Sequence, residues 1–111
     1  MMKIYISGPI TGTSDYMERF KRAEELLLKI GDIPVNPAAV NSSLPEQTAY
    51  EEYMNMSITM LDMCDAIYMM NGWERSCGAN REYGYALAKG KIIVFEQEIY
   101  QGKDREKERD M

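Results

Sequence analysis

The sequence has no histidine, two cysteines and one tryptophan among its 111 residues. Without histidine, a Ser-His-Asp triad and a histidine-based zinc site are excluded. Acid–base or nucleophilic chemistry must then fall to carboxylates, tyrosines or a thiol. Long apolar runs are missing as well, and none approaches the roughly 18–20 residues that span a bilayer. The N-terminus enters a strand-like run at Lys3-Ile4-Tyr5-Ile6, with no signal-peptide pattern. Cys64 and Cys77 are therefore expected to be free thiols in a reducing compartment, which points to the cytoplasm. Basic charge is short too: 13 Lys and Arg stand against 18 Asp and Glu, a net charge of −5. That balance disfavours polymeric nucleic acid and anionic membranes as partners. A small anion stays possible, because backbone amides at a helix start can hold a phosphate without a basic surface.

What is present reads as strands alternating with helices. Lys3 to Ser7 is a short buried strand, followed by turn formers from Gly8 to Ser14. A helix is predicted from about Asp15 to Ile30, with Phe20, Ala23, Leu26, Leu27 and Ile30 at helical spacing and Gly31 as its stop. Ile33 to Asn36 is a second strand, and Pro34 sends it to a sheet edge. Pro37 to Ala49 reads as a long polar loop, which in a domain this small is functional or mobile. Tyr50 to Met63 is a helix, Ala66 to Met70 a strand, and Asn71 to Gly78 a turn. A helix from about Cys77 to Lys89 stops at Gly90, and Ile92 to Phe95 is the last clear strand. The residues from 101 to 111 are charged at nearly every position and predict a solvated tail. Residues 1–100 thus form one α/β domain, a Rossmann- or flavodoxin-like three-layer sandwich around a parallel sheet of four to five strands. In such sheets ligands bind beyond the C-terminal strand ends, where the strand order switches. Two glycine-rich turns fall there, Gly8–Gly12 and Gly72–Gly78.

Glu82 lies about a turn and a half into its helix, on a stripe with Gly78, Ala79, Tyr85 and Ala86. Small residues on a stripe let a helix approach a sheet, so this face is expected to point inward. A carboxylate there is costly unless paired or given a task. It could serve as a nucleophile toward a sugar carbon. The plainer alternative is a surface glutamate paired with Arg81 or Lys89. Tyr5 is either a core residue or close enough across the switch point to reach Glu82. Ser76 reads as a helix cap that could also hold a phosphate or a sugar hydroxyl. Cys77, at a helix start, is a rival nucleophile without a histidine base. Trp73 could stack on a base or cover the core. Met54, Met56, Met60, Met63, Met69 and Met70 are read as core filling or a subunit interface.

Four segments occur in one order: Tyr5-Ile6-Ser7-Gly8-Pro9-Ile10-Thr11-Gly12, Cys64-Asp65-Ala66-Ile67-Tyr68, Gly72-Trp73-Glu74, and Ser76-x-Gly78-x-x-x-Glu82-Tyr83-Gly84-Tyr85-Ala86. Together they resemble the nucleoside 2-deoxyribosyltransferase superfamily, and most closely its small branch with the Gly-Trp-Glu turn. The resemblance spans about residues 3–95. It implies that Glu82 attacks C1′ of a 2′-deoxynucleoside and expels the base, forming a deoxyribosyl-enzyme, with Tyr5 orienting the carboxylate. It implies substrate contacts from Ser7, Gly8, Ile10, Thr11, Gly12, Ser57, Trp73, Ser76 and Gly78. A serine at the place of Ser76 goes with the related 2′-deoxynucleoside 5′-monophosphate N-hydrolases, so a 5′-monophosphate enters as a substrate beside the free nucleoside. No metal and no organic cofactor is implied, and a homo-oligomer, dimer or tetramer, is expected. The chain departs from the pattern at Ser57, where the family places the aspartate that helps protonate the leaving base. Asp62 is nearby in sequence but on another helix face. A non-catalytic nucleotide-binding module that keeps the fold is the alternative this departure raises. An interaction protein using its methionines is a third.

Overall fold

Ile4 and Ile6 alternate with Tyr5 and Ser7 along the first strand, and this alternation organises the molecule. The structure is a computed structural model that describes residues 1–99. The expected charged tail lies outside the described residues. Four strands, β1 (Lys3–Ser7), β2 (Ile33–Val35), β3 (Ala66–Met69) and β4 (Ile92–Phe95), pair in parallel in the order β2-β1-β3-β4. The helices are α1 (Tyr16–Lys29), α2 (Pro37–Asn41), α3 (Tyr50–Asp62) and α4 (Cys77–Ala88). Odd and even positions of a strand face opposite sides of a sheet. Ile4, Ile6 and Tyr68 therefore pack on Phe20, Ala23 and Leu27 of α1, with Ala38 of α2. Tyr5, Ile67 and Met69 pack on Met60 and Leu61 of α3 and on Ala79 and Ala86 of α4. The result is a three-layer α/β sandwich.

The strand order switches at β1, which pairs with β2 on one side and β3 on the other. A crevice opens at the C-terminal end of β1, the usual ligand position in such a sheet. Pro34 lies in the edge strand β2, where a missing backbone donor costs little. The stops fall where glycine allows a left-handed backbone. Gly31 (φ +93°) follows α1 and Gly90 (φ +71°) follows α4.

Three sequence readings are refined. The stretch from Pro37 is not all irregular: Pro37–Asn41 is helical, with Pro37 at its start and the Asn36 side chain accepting from Ala39 N–H at 3.2 Å. The Asn-Pro pair is a helix-start signal that the polar composition of the stretch obscured. The methionines do not form one surface, because Met54, Met60, Met69 and Met70 are buried while Met56 and Met63 are exposed. Met69 ends β3 and Met70 follows it facing the other layer, so the two belong to different cores. They fill the interior, as a flexible thioether suits. Ile30, counted on the apolar face of the first helix, is exposed one residue past its end.

Candidate active site

Glu82 is only 6% exposed, on the face of α4 that also buries Ala79 and Ala86. This disposes of the surface reading: Arg81 pairs instead with Glu51, at 2.8 Å, on the outside. Each carboxylate oxygen of Glu82 has a hydroxyl donor from β1. Tyr5 Oη donates to Oε2, and Ser7 Oγ donates to Oε1 at 2.7 Å. Both donors are fully buried, and their two-residue spacing in a strand puts them on one face of the sheet. Burial pushes the Glu82 pKa from the ordinary 4.5 up to about 7, while the Tyr5 and Ser7 hydrogen bonds pull it down. Burial and the neighbouring carboxylate hold Tyr5 well above its usual range, so it stays a protonated donor.

Glu82 and Tyr5 line a cavity of about 490 Å³ at the switch point. That volume falls within the range of small-molecule sites. Gly8, Ile10 and Thr11 line it from the loop after β1, Ser57 from α3, and Ser76 and Gly78 from the start of α4. Gly8 passes close to Met70: a Cβ there would press on the Met70 side chain, 3.1 Å from its Cβ, so the close approach favours glycine. Ser76 caps α4, its Oγ accepting from Ala79 N–H at 3.2 Å. Among the described residues, Glu82 is the only one of the lining with a formal charge. The site is a carboxylate held in a mostly neutral, tyrosine-rich hollow.

Three sequence candidates are not brought to the cavity. Ser7 is buried beneath it and holds Glu82 rather than facing a ligand. Gly12 serves the turn after β1, with φ +80°, and does not line the cavity. Trp73 packs on Tyr83 and Phe95, with ring centroids 4.8 and 6.0 Å away, and lines a separate hollow. The left-handed Gly72 (φ +90°) opens the 3₁₀ turn Trp73–Arg75, and the indole lies on the β4 side. Cys77 is exposed at the first position of α4 and is not part of the lining, which removes it as rival nucleophile. Asp62 faces outward, where its carboxylate accepts from Tyr85 Oη at 2.7 Å, and does not stand in for an acid at Ser57.

The rest of the lining was largely missed. Tyr50, Tyr53 and Met54 of α3 and Asn41, Ser42 and Leu44 after β2 complete it. Ser57 is 6% exposed and accepts from Asn41 Nδ2 at 3.3 Å. The only available signal for Asn41 was its place in a polar stretch too long for a plain connection.

The chain matches a protein-family model described as a domain of unknown function (DUF4406) over residues 2–95. No curated protein matches it. Among solved structures it is similar to a 2-deoxyribosyltransferase from Leishmania mexicana, at 27% identity and a TM-score of 0.65. The match covers 86% of this chain and 63% of that one, so the chain spans less than two thirds of that relative. It also shares its fold with a 2-deoxyribosyltransferase from Bacillus psychrosaccharolyticus, at 17% identity and a TM-score of 0.67, over 84% of this chain and 70% of that one.

Proposed function

Because the chain belongs to the DUF4406 family and has the nucleoside 2-deoxyribosyltransferase-like fold, we propose that it cleaves or exchanges the N-glycosidic bond of a 2′-deoxynucleoside or its 5′-monophosphate. The observation that carries this reading is the buried Glu82 carboxylate, held at both oxygens by Tyr5 and Ser7 on the wall of a nucleoside-sized cavity. Two fixed donors pin the carboxylate in one orientation, which is the pre-organisation a nucleophile needs.

In the first step a Glu82 oxygen forms a bond to C1′ as the C1′–N bond breaks. The electron pair leaves with the base, which takes up a proton. In the second step water or another base attacks C1′, gives up a proton, and releases the carboxylate. Only ionised Glu82 attacks, so the rate rises with pH through about 7. Ser76, Gly78 and the Gly8–Thr11 loop stand where they can hold the sugar and its 5′ group, with free amide donors at the start of α4 suiting a phosphate. Ser57 cannot act as a carboxylic acid, and general acid assistance is typically worth about 10²–10⁴-fold. Turnover is therefore slow, or the leaving base draws its proton from water. The same residue favours the second reading, a binding module without turnover.

The test is chromatography of free base released from a panel of deoxynucleosides and their 5′-monophosphates, with wild type beside Glu82→Ala. Base release by the wild type alone supports the reaction and its nucleophile. If neither protein releases base while a nucleotide raises the melting temperature, the binding module replaces the enzyme.

A further inference from the structure

A base that departs from C1′ as an anion is a poor leaving group, which is why a general acid is typically worth about 10²–10⁴-fold. Among the described residues, the lining of the Glu82 cavity holds no second carboxyl, no imidazole and no ammonium or guanidinium group. Ser57 offers that wall only an alcohol hydroxyl. The remaining lining is neutral and partly aromatic, with Tyr16, Tyr50 and Tyr53 on it. Arg81 lies over the Tyr50 ring, 5.7 Å from its centroid, but it is paired with Glu51 at 2.8 Å and is not part of the lining. Glu82 itself is buried and held by two neutral hydroxyls, so no cation of the described lining offsets its charge. A buried charge without a counter-charge is destabilising, and a ligand that supplies one is favoured. Tyrosine rings around a carboxylate add to the attraction, because an aromatic face also draws a cation.

Resting on the glycosidic reading above, we propose that the cavity takes 2′-deoxynucleosides whose base is already a cation, alkylated on a ring nitrogen. In 7-methyl-2′-deoxyguanosine the purine carries its positive charge before the reaction begins. As a Glu82 oxygen bonds C1′, the C1′–N9 bond breaks and its electron pair moves into the ring. The base leaves as neutral 7-methylguanine, and no proton is needed. A carboxylate and a cationic base thus become a neutral ester and a neutral base, in a cavity where isolated charge is destabilised. Water then attacks C1′, gives a proton to solvent and restores the carboxylate. The same substrate assists its own nucleophile. Burial pushes the Glu82 pKa up to about 7, and a positive charge beside it favours the ionised form.

The experiment measures kcat/KM for base release from 7-methyl-2′-deoxyguanosine beside 2′-deoxyguanosine, and from 3-methyl-2′-deoxycytidine beside 2′-deoxycytidine. It is run at slightly acidic pH, where both methylated bases stay cationic, with Glu82→Ala as the blank for unaided loss of base. The wild type is expected to favour the cationic member of each pair by about 10²-fold or more, the assistance that no acid of the lining supplies. Ser57→Asp places a carboxyl in the wall, where burial keeps it protonated. It is expected to speed the neutral members and narrow both ratios by about tenfold or more. A smaller wild-type preference overturns the proposal and means that neutral bases draw a proton from elsewhere. Unchanged ratios in a Ser57→Asp protein that still melts cooperatively overturn it too, and where that variant does not fold the wild-type ratios decide. If no nucleoside releases base above the blank, the glycosidic reading fails, and calorimetric binding of the same pairs decides the cation preference. Tighter binding of the methylated members, lost in Glu82→Gln, keeps that preference, while equal or weaker binding, or none, overturns it.

Discussion

At the scale of single residues, Glu82 carries opposite demands from folding and from chemistry. Its pKa stands near 7 in the fold against about 4.5 when solvated, so the folded state binds the extra proton between those values. Stability from this group is thus fully present below pH 4.5 and is lost as pH rises through 7. At about 1.4 kcal/mol per unit, the loss is roughly 3 kcal/mol at pH 8. Glu82→Gln removes the titration while keeping the shape. Its melting temperature is expected to match wild type at pH 4.5 and to exceed it by several degrees at pH 8. Equal melting at both pH values would refute the buried charge. Tyr5→Phe deletes one of the two hydroxyls that favour the charged form, so the rise of base release with pH moves to higher pH. Base release at pH 7 falls by about tenfold or more, the order of one charge-assisted hydrogen bond. Glu82 was legible as a candidate because a lone carboxylate on a stripe of small residues is anomalous. Its partner Ser7 was legible only as part of a loop motif, since the role of Ser7 depends on a contact 75 residues away.

At the scale of elements, the start of α4 and the loop after β1 are the two pieces that shape the cavity. Ser76 is the side-chain cap of α4. Ser76→Ala is expected to cost about 1 kcal/mol, read as a lower urea midpoint with an unchanged slope. Gly8→Ala pushes a methyl group into Met70 and should cost about 1–3 kcal/mol in the same measurement. Wild-type stability in Gly8→Ala would mean that the loop can back away from β3, and that its glycine is there for some other reason. Helix and strand spans were read well because caps and stops are local chemistry: Ser76, Gly31 and Gly90 all act within a turn of their own position. The short α2 was missed because a polar composition outweighed the Asn36-Pro37 signal. The turn at Trp73 was placed correctly, and of the two readings of its indole the structure keeps the one that covers the core. A turn's location is a local property, whereas the side on which its indole lands depends on Phe95 and Tyr83.

At the scale of the molecule, α3 matters most, because it forms one wall of the cavity and half of one core layer. Leu61, fully buried between α3 and the sheet, anchors it. Leu61→Ala should lower stability by about 2–5 kcal/mol and loosen the Ser57 wall with it. A fall of less than 1 kcal/mol would show a layer able to collapse around the loss. Association is a proposal at this scale, and sedimentation velocity at micromolar concentration tests it. A dimer or tetramer boundary is expected, and a single monomer boundary removes it. No helix among the described residues is long and apolar enough to cross a membrane. By itself the sequence determined the class of fold, the alternation of elements, the edge position of β2 and the exclusion of histidine chemistry. Each of these follows from composition and short-range periodicity. Only the tertiary structure decided that Ser7 holds Glu82, that Trp73 faces away, and that Asn41 of α2 donates to Ser57 of α3 in the cavity wall. Those outcomes depend on which distant side chains the parallel sheet brings together, and on how burial changes what a carboxylate or an amide costs.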